Sequence, residues 1–178
     1  MWVTAAGGEC PQHMVRRRRV AVAVLSLCVA SLLGWWVGRE HDLVEPRARV
    51  LEAIDGDTLR VVLHDGGRDT VRLLGVDTPE THHPLKGVQC FGPEAAAYTA
   101  RRLTGRVVRL EPDVERRDIY GRRLAYVIVH GRRFDDELLR RGYARLLVIP
   151  PNRAHARAML AAELWARRHD RGLWHECE

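Results

Sequence analysis

Two short acidic turns carry the strongest chemical signal in this chain. They are Asp55-Gly56-Asp57, within AIDGDTLR, and Asp77-Thr78-Pro79-Glu80, within VRLLGVDTPETHH. Each stands at the end of an apolar run, on a turn where side chains can face a ligand rather than the core. Carboxylates gathered in one cleft repel one another and rise in pKa unless a cation neutralises them. An oxygen-only donor set, with no Cys or paired His beside it, favours a hard ion such as calcium or magnesium. Arg72 precedes Asp77 on the same run, and Arg122 follows Tyr120-Gly121. A guanidinium forks onto two phosphate oxygens in a way that a lysine cannot. A hard cation, two arginines and a spare carboxylate together are the equipment for hydrolysing a phosphoryl ester. Singly, each piece is ordinary: DGD is a common hairpin turn, DTPE can merely end a strand, and Arg122 can be one more solvated arginine.

The elements around these turns read as a β-rich α+β domain. RVLEAI, TLRVVLH and DTVRLLGV alternate in polarity, and Asp65-Gly66 between the last two is a hairpin signal, so three strands are expected as a meander. Gly92-Pro93-Glu94 opens a helix that Gly105 closes. RVVRLEP and RRLAYVIVH return to strand. DDELLRRG is a short helix with acids first and arginines last, as the helix dipole favours. A brief strand, YARLLVI, precedes Pro150-Pro151-Asn152, and Arg153 to Arg171 forms an amphipathic helix closed by Gly172. Trp165 and Trp174 are expected to pack this last helix rather than to stack bases. Five principal strands interrupted by a helix, with more helix behind, fit a five-stranded OB-fold Greek-key barrel with three helices.

In sequence order, AIDGDTLR, VRLLGVDTPETHHPLKGVQCFGPEAAAYT, DIYGRRLAYV, LLRRGYAR and PPN resemble the staphylococcal nuclease family, over nearly all of Val50 to Trp174. The resemblance implies a calcium-dependent phosphodiesterase acting on DNA and RNA as a monomer and leaving 3′-phosphate ends. It makes Asp57 and Asp77 calcium ligands through their carboxylates, Thr78 a ligand through its backbone carbonyl, and Asp55 an outer-shell residue acting through water. Glu80 matches the carboxylate that positions or deprotonates the attacking water. Arg72 and Arg122 match the pair that holds the scissile phosphate, and Tyr120 and Lys86 are expected at the substrate. Two tyrosines of the staphylococcal enzyme are replaced here by Leu147 and Ile149, and a lysine by Ile119, so substrate contacts on that side should differ. The alternative is a catalytically silent OB-fold module that binds nucleic acid at the cell envelope. Retention of Asp57, Arg72, Asp77, Glu80 and Arg122 together speaks against it.

The chain has 178 residues and 46% hydrophobic content, enough to bury a core, which excludes disorder for most of it. Its formal charge of +6 invites a polyanionic partner, but residues 1–49 hold seven of the arginines against four acids, so the surplus beyond them is smaller. Residues 1–19 form a basic segment ending in Arg16 to Arg19. Residues 20–37 carry no charge and read as a signal anchor or transmembrane helix, with a cleaved signal peptide as the alternative. The arginine block keeps the start cytoplasmic, and Trp35 and Trp36 suit the far interface. Residues 38–48 read as a linker and residues 49–178 as the folded domain, either membrane-anchored outside the cytoplasm or secreted. In an exported domain Cys90 and Cys177 are candidates for a disulfide, with two unrelated thiols as the alternative.

Overall fold

The alternating segments form a closed barrel in the computed structural model, which describes residues 46–81 and 87–177. Lys86, the basic segment 1–19, the apolar segment 20–37 and most of the expected linker lie outside the described residues. Strand β1 is Arg47–Ala53, β2 is Thr58–Leu63 and β3 is Arg68–Leu73. β1 therefore starts inside the stretch read as linker, where the Pro46 carbonyl accepts a hydrogen bond from Leu110 N–H. After helix α1, Gly92–Leu103, come β5, Val107–Glu111, and β6, Arg123–Val129. The strands pair in the order β3-β2-β1-β5-β6, and β3 closes onto β6. That last pairing is parallel, with Arg72 opposite Leu124, and the others are antiparallel. Strand β1 alternates exposed and buried positions, so Ala48 and Val50 point inward beside Leu59, Val61, Val71 and Leu110. Each such branched side chain contributes about 1.5–3 kcal/mol when fully buried.

The β2–β3 turn is the expected hairpin. Gly66 adopts a positive φ of 87°, Leu63 N–H donates to the Gly67 carbonyl (2.8 Å), and Asp65 Oδ1 accepts from Gly67 N–H (2.8 Å). The third strand, expected through Val76, is instead interrupted after Leu73. Gly75 takes φ 73°, a left-handed conformation that a side chain resists, and the chain turns into the separate strand β4, Gly75–Asp77. Strand β4 pairs with β8, Arg145–Leu147, which is all that forms of the expected strand at 143–149. Strand β7, Arg132–Arg133, is a short antiparallel return onto β6.

Helix α2 is Phe134–Arg141, and α3 is Ala156–Arg168, shorter at both ends than the expected 153–171. A fourth short helix beyond the expected three, α4, covers Leu173–Glu176. Phe134, Leu138 and Leu139 of α2 and Met159 of α3 join the barrel core, while Ala166, Leu173 and Trp174 form a smaller cluster against Phe91 and Cys177. Cys90 and Cys177 are bonded, with their Cα atoms 5.9 Å apart, tying the entrance of α1 to the chain's last described residues. Among the described residues no helix is long and apolar enough to cross a membrane.

Asp135, in the first turn of α2, is fully buried. Its Oδ2 accepts Val127 N–H (2.9 Å), and its Oδ1 has no partner. Burial pushes its carboxyl well above the usual range, with the Val127 hydrogen bond opposing. The folded protein thus holds a proton that the unfolded chain releases above about pH 4, so this residue's contribution to stability declines as pH rises past that value. Asp135→Asn keeps the acceptor for Val127 and is neutral at every pH. Thermal unfolding should show it matching the parent near pH 4 and melting several degrees higher at pH 8; an unchanged pH slope would contradict this assignment.

Candidate active site

The DGD turn joins β1 to β2, and it is held from two sides. Asp55 Oδ1 accepts the Asp57 N–H (3.0 Å), while Thr99 of α1 donates its hydroxyl to the Gly56 carbonyl (2.7 Å). A Cβ on Gly56 would stand 2.6 Å from the Thr78 side chain, so only glycine lets the two acidic turns approach this closely. The buried Asp57 carboxylate then bridges them. Its Oδ2 accepts the Thr78 N–H (2.8 Å) and hydroxyl (3.0 Å), and its Oδ1 accepts the Thr58 hydroxyl (3.1 Å).

Arg72, at the end of β3, lies between the two carboxylates. Its Nη1 is 3.2 Å from Asp57 Oδ2 and donates to the carbonyls of Leu73 (3.0 Å) and Val76 (2.8 Å); its Nη2 donates to Asp77 Oδ1 (3.0 Å). A guanidinium carries five N–H groups. The Nε–H and one Nη2–H of Arg72 therefore remain without an acceptor among the described residues. Burial still pushes the Asp57 carboxyl up to about 6, against the pull of Arg72 and with help from the Asp55 charge. Burial likewise raises Asp77, with Arg72 opposing and Asp57 adding to it. One arginine leaves this carboxylate group short of positive charge, and a hard cation is the species that would supply it. Among the described residues no three Asp, Glu, His or Cys side chains gather at metal-binding distance, so a cation here needs backbone carbonyl or water oxygens beside Asp57 and Asp77. That donor set fits calcium.

Arg122 reaches the same cleft from the other side. The loop that carries it is pinned at three points. Asp118 accepts the Arg122 and Tyr120 N–H groups on Oδ1 and Arg122 Nε on Oδ2 (2.7 Å). Burial pushes the Asp118 carboxyl up, but the hydrogen bonds from Arg122 outweigh it and hold it below the usual range. Asp69 on β3 takes Arg117 and Arg123, and the buried Asn152 side chain both donates to the Glu115 carbonyl (2.9 Å) and accepts its N–H (2.7 Å). With Nε engaged, both Nη groups of Arg122 are without acceptors among the described residues. Its guanidinium lies 5.5 Å from the centre of the Tyr120 ring.

Arg72 and Arg122 line one cleft of about 670 Å³ with Tyr120, Ile119, Leu147 and Ile149. Asp57 and Asp77 touch it through Arg72. Glu80 is exposed three residues beyond Asp77; its N–H donates to Gln89 Oε1 (3.0 Å) and its carbonyl accepts Gln89 N–H (2.9 Å). Sequence reasoning did not assign the supporting residues Thr58, Asp69, Gln89, Thr99 and Asp118, nor a role for Asn152, although Asn152 stands in the PPN motif. Their roles are hydrogen bonds across the fold, for which local sequence carries no signal.

Residues 70–176 match the family described as Staphylococcal nuclease homologue. The thermonuclease of Staphylococcus hyicus is 39% identical over 130 residues, which cover 73% of this chain and 76% of that protein. The thermonuclease of Staphylococcus intermedius is 41% identical over 125 residues, covering 70% and 74%. Endonuclease YncB of Bacillus subtilis (strain 168) is 40% identical over 124 residues, 68% of this chain and 58% of that protein. The likeness spans the Arg72 strand, the second acidic turn and the Arg122 loop that the barrel brings to one cleft, and this chain belongs to the staphylococcal nuclease family.

Proposed function

We propose that this nuclease is calcium-dependent, hydrolyses phosphodiester bonds of both DNA and RNA, and leaves 3′-phosphate ends. The observation that carries the proposal is Arg72, which binds Asp57 and Asp77 while lining a cleft with Arg122. Asp57, Asp77 and the Thr78 carbonyl would hold the ion, with Asp55 acting through water, and calcium would polarise a phosphate oxygen and neutralise charge there. Glu80, exposed at the end of the same turn, orients a water molecule and takes its proton as that oxygen bonds to phosphorus. The bond from phosphorus to the 5′ oxygen breaks in line with the attack, and the 5′ oxygen takes a proton from solvent water as it leaves, while Glu80 returns its proton to solvent. The free donors of Arg72 and Arg122 hold the equatorial oxygens and stabilise the charge that builds there. Leu147 and Ile149, which are exposed along the cleft, offer apolar contact to the nucleotide in place of hydrogen bonds.

Export of the domain is part of the proposal, with residues 20–37 as a retained anchor or a cleaved signal. The Cys90–Cys177 bond supports it, because such bonds persist in oxidising compartments.

Single-stranded DNA and RNA should be cut in calcium and left intact in chelator, with 3′-phosphate ends on the fragments; intact substrate in calcium at neutral to alkaline pH would refute the proposal. Glu80→Gln is expected to lower turnover by about 10²-fold or more while calorimetry finds calcium affinity nearly unchanged. Arg122→Lys and Arg72→Lys should each cost about 10²-fold in kcat, and an undiminished rate in either would exclude the bidentate role.

A further inference from the structure

A second cleft, of about 1370 Å³, shares no lining residue with the first. It is bounded by β5, the end of β6, β7, α2 and the approach to α4, and seven arginines and four carboxylates line it. Three of the carboxylates are already engaged. Glu137 takes Arg102 (3.1 Å) and Arg141 (3.4 Å), Asp136 takes Arg133 (2.6 Å), and Glu111 takes His155 (2.6 Å). Arg132, Arg140 and Arg171 are exposed and have no carboxylate partner among the described residues. The cleft therefore carries a surplus of positive charge that the protein does not neutralise.

Two of these arginines are also held in place. The Arg140 guanidinium stacks 4.1 Å from the centre of the Trp165 ring, and Arg171 lies 5.9 Å from the same ring. Stacking engages the face of a guanidinium and leaves its in-plane N–H donors free, so a bound oxyanion meets donors already oriented. Trp165 is stacked on His169 as well, at 4.1 Å. The indole thus supports cations instead of offering a platform to a base, and the cleft suits a ligand recognised by its phosphates alone.

The two clefts lie at opposite ends of one strand. Arg122, just ahead of β6, and Leu124 near its start belong to the first, and Ile128 and Val129 at its end belong to the second. The seven residues of β6 span about 20 Å, a distance that a single strand of only a few nucleotides covers. We propose that Arg132, Arg140 and Arg171 form a second binding site for the sugar–phosphate backbone of the same nucleic-acid strand that the first cleft cuts. The site reads no sequence; it anchors long substrates through counterion release. The inference rests on the nuclease reading of the first cleft, but its test requires no cleavage.

The full chain, kept in neutral detergent and in chelator, is titrated with fluorescent single-stranded DNA of about twenty and about two nucleotides over a range of salt. A variant with Arg132→Gln, Arg140→Gln and Arg171→Gln is expected to bind the long strand about tenfold more weakly, with a salt slope smaller by about 2, and the short strand as before. The corresponding triple Arg→Lys variant should restore most of the slope, since a lysine also neutralises a phosphate. In calcium, KM for long DNA should rise in the Gln variant with kcat held. Unchanged affinity and slope for the long strand, an equal loss for both lengths, or an Arg→Lys variant as weak as the Gln variant would overturn the proposal. So would a loss confined to binding of micelles doped with anionic phospholipid, which would assign the cleft to a lipid surface. Absence of cleavage with these binding differences intact would count against the nuclease reading and leave the second site standing.

Discussion

The candidate site depends on one buried carboxylate. Asp57 accepts the backbone and hydroxyl hydrogens of Thr78 across 21 residues of sequence, and so locks the β1–β2 turn to the turn beyond β4. A charge so placed is costly unless it is fully satisfied, and removing a partner from a buried pair commonly costs about 3–5 kcal/mol. The cluster is nevertheless incompletely compensated, because Asp57 is repelled by Asp55 and by Asp77 around the single guanidinium of Arg72. Stability and chemistry pull in different directions here: the same repulsion that weakens the fold would favour a bound cation.

The barrel supports that arrangement through paired strands on either side of it. Arg72 sits where β3 pairs with both β2 and β6, so its backbone is fixed from two sides. Arg122 stands just ahead of β6, in a loop secured by Asp69, Asp118 and Asn152. Each arginine is thus oriented by carboxylates or carbonyls that leave part of its donor set free, so an anion placed there would require little reorganisation.

Much of this was legible in the sequence because the relevant signals are local. Alternating apolar residues gave five strands, Asp65-Gly66 marked the hairpin, and the acids and arginines of α2 fell at the ends the dipole favours. The interruption at Gly75 was not legible, since VRLLGV continues the strand pattern and only the positive φ at the glycine reveals the turn. Nor could the sequence reveal that Asp69 serves two arginines or that Asn152 clamps Glu115, because those pairings depend on how distant segments meet. The arginine-rich composition was misleading in the opposite sense. Arginines such as Arg102, Arg117 and Arg133 pair with a neighbouring carboxylate, and only the folded structure separates those that do from those that do not.

The paired hydrogen bonds between Glu80 and Gln89 close a short excursion of the chain at its neck. The backbone at Glu80 is thereby held by the segment that enters α1, and α1 in turn holds the DGD turn through the Thr99 hydroxyl, so the two acidic turns share one helix as a support in addition to the Asp57–Thr78 bridge.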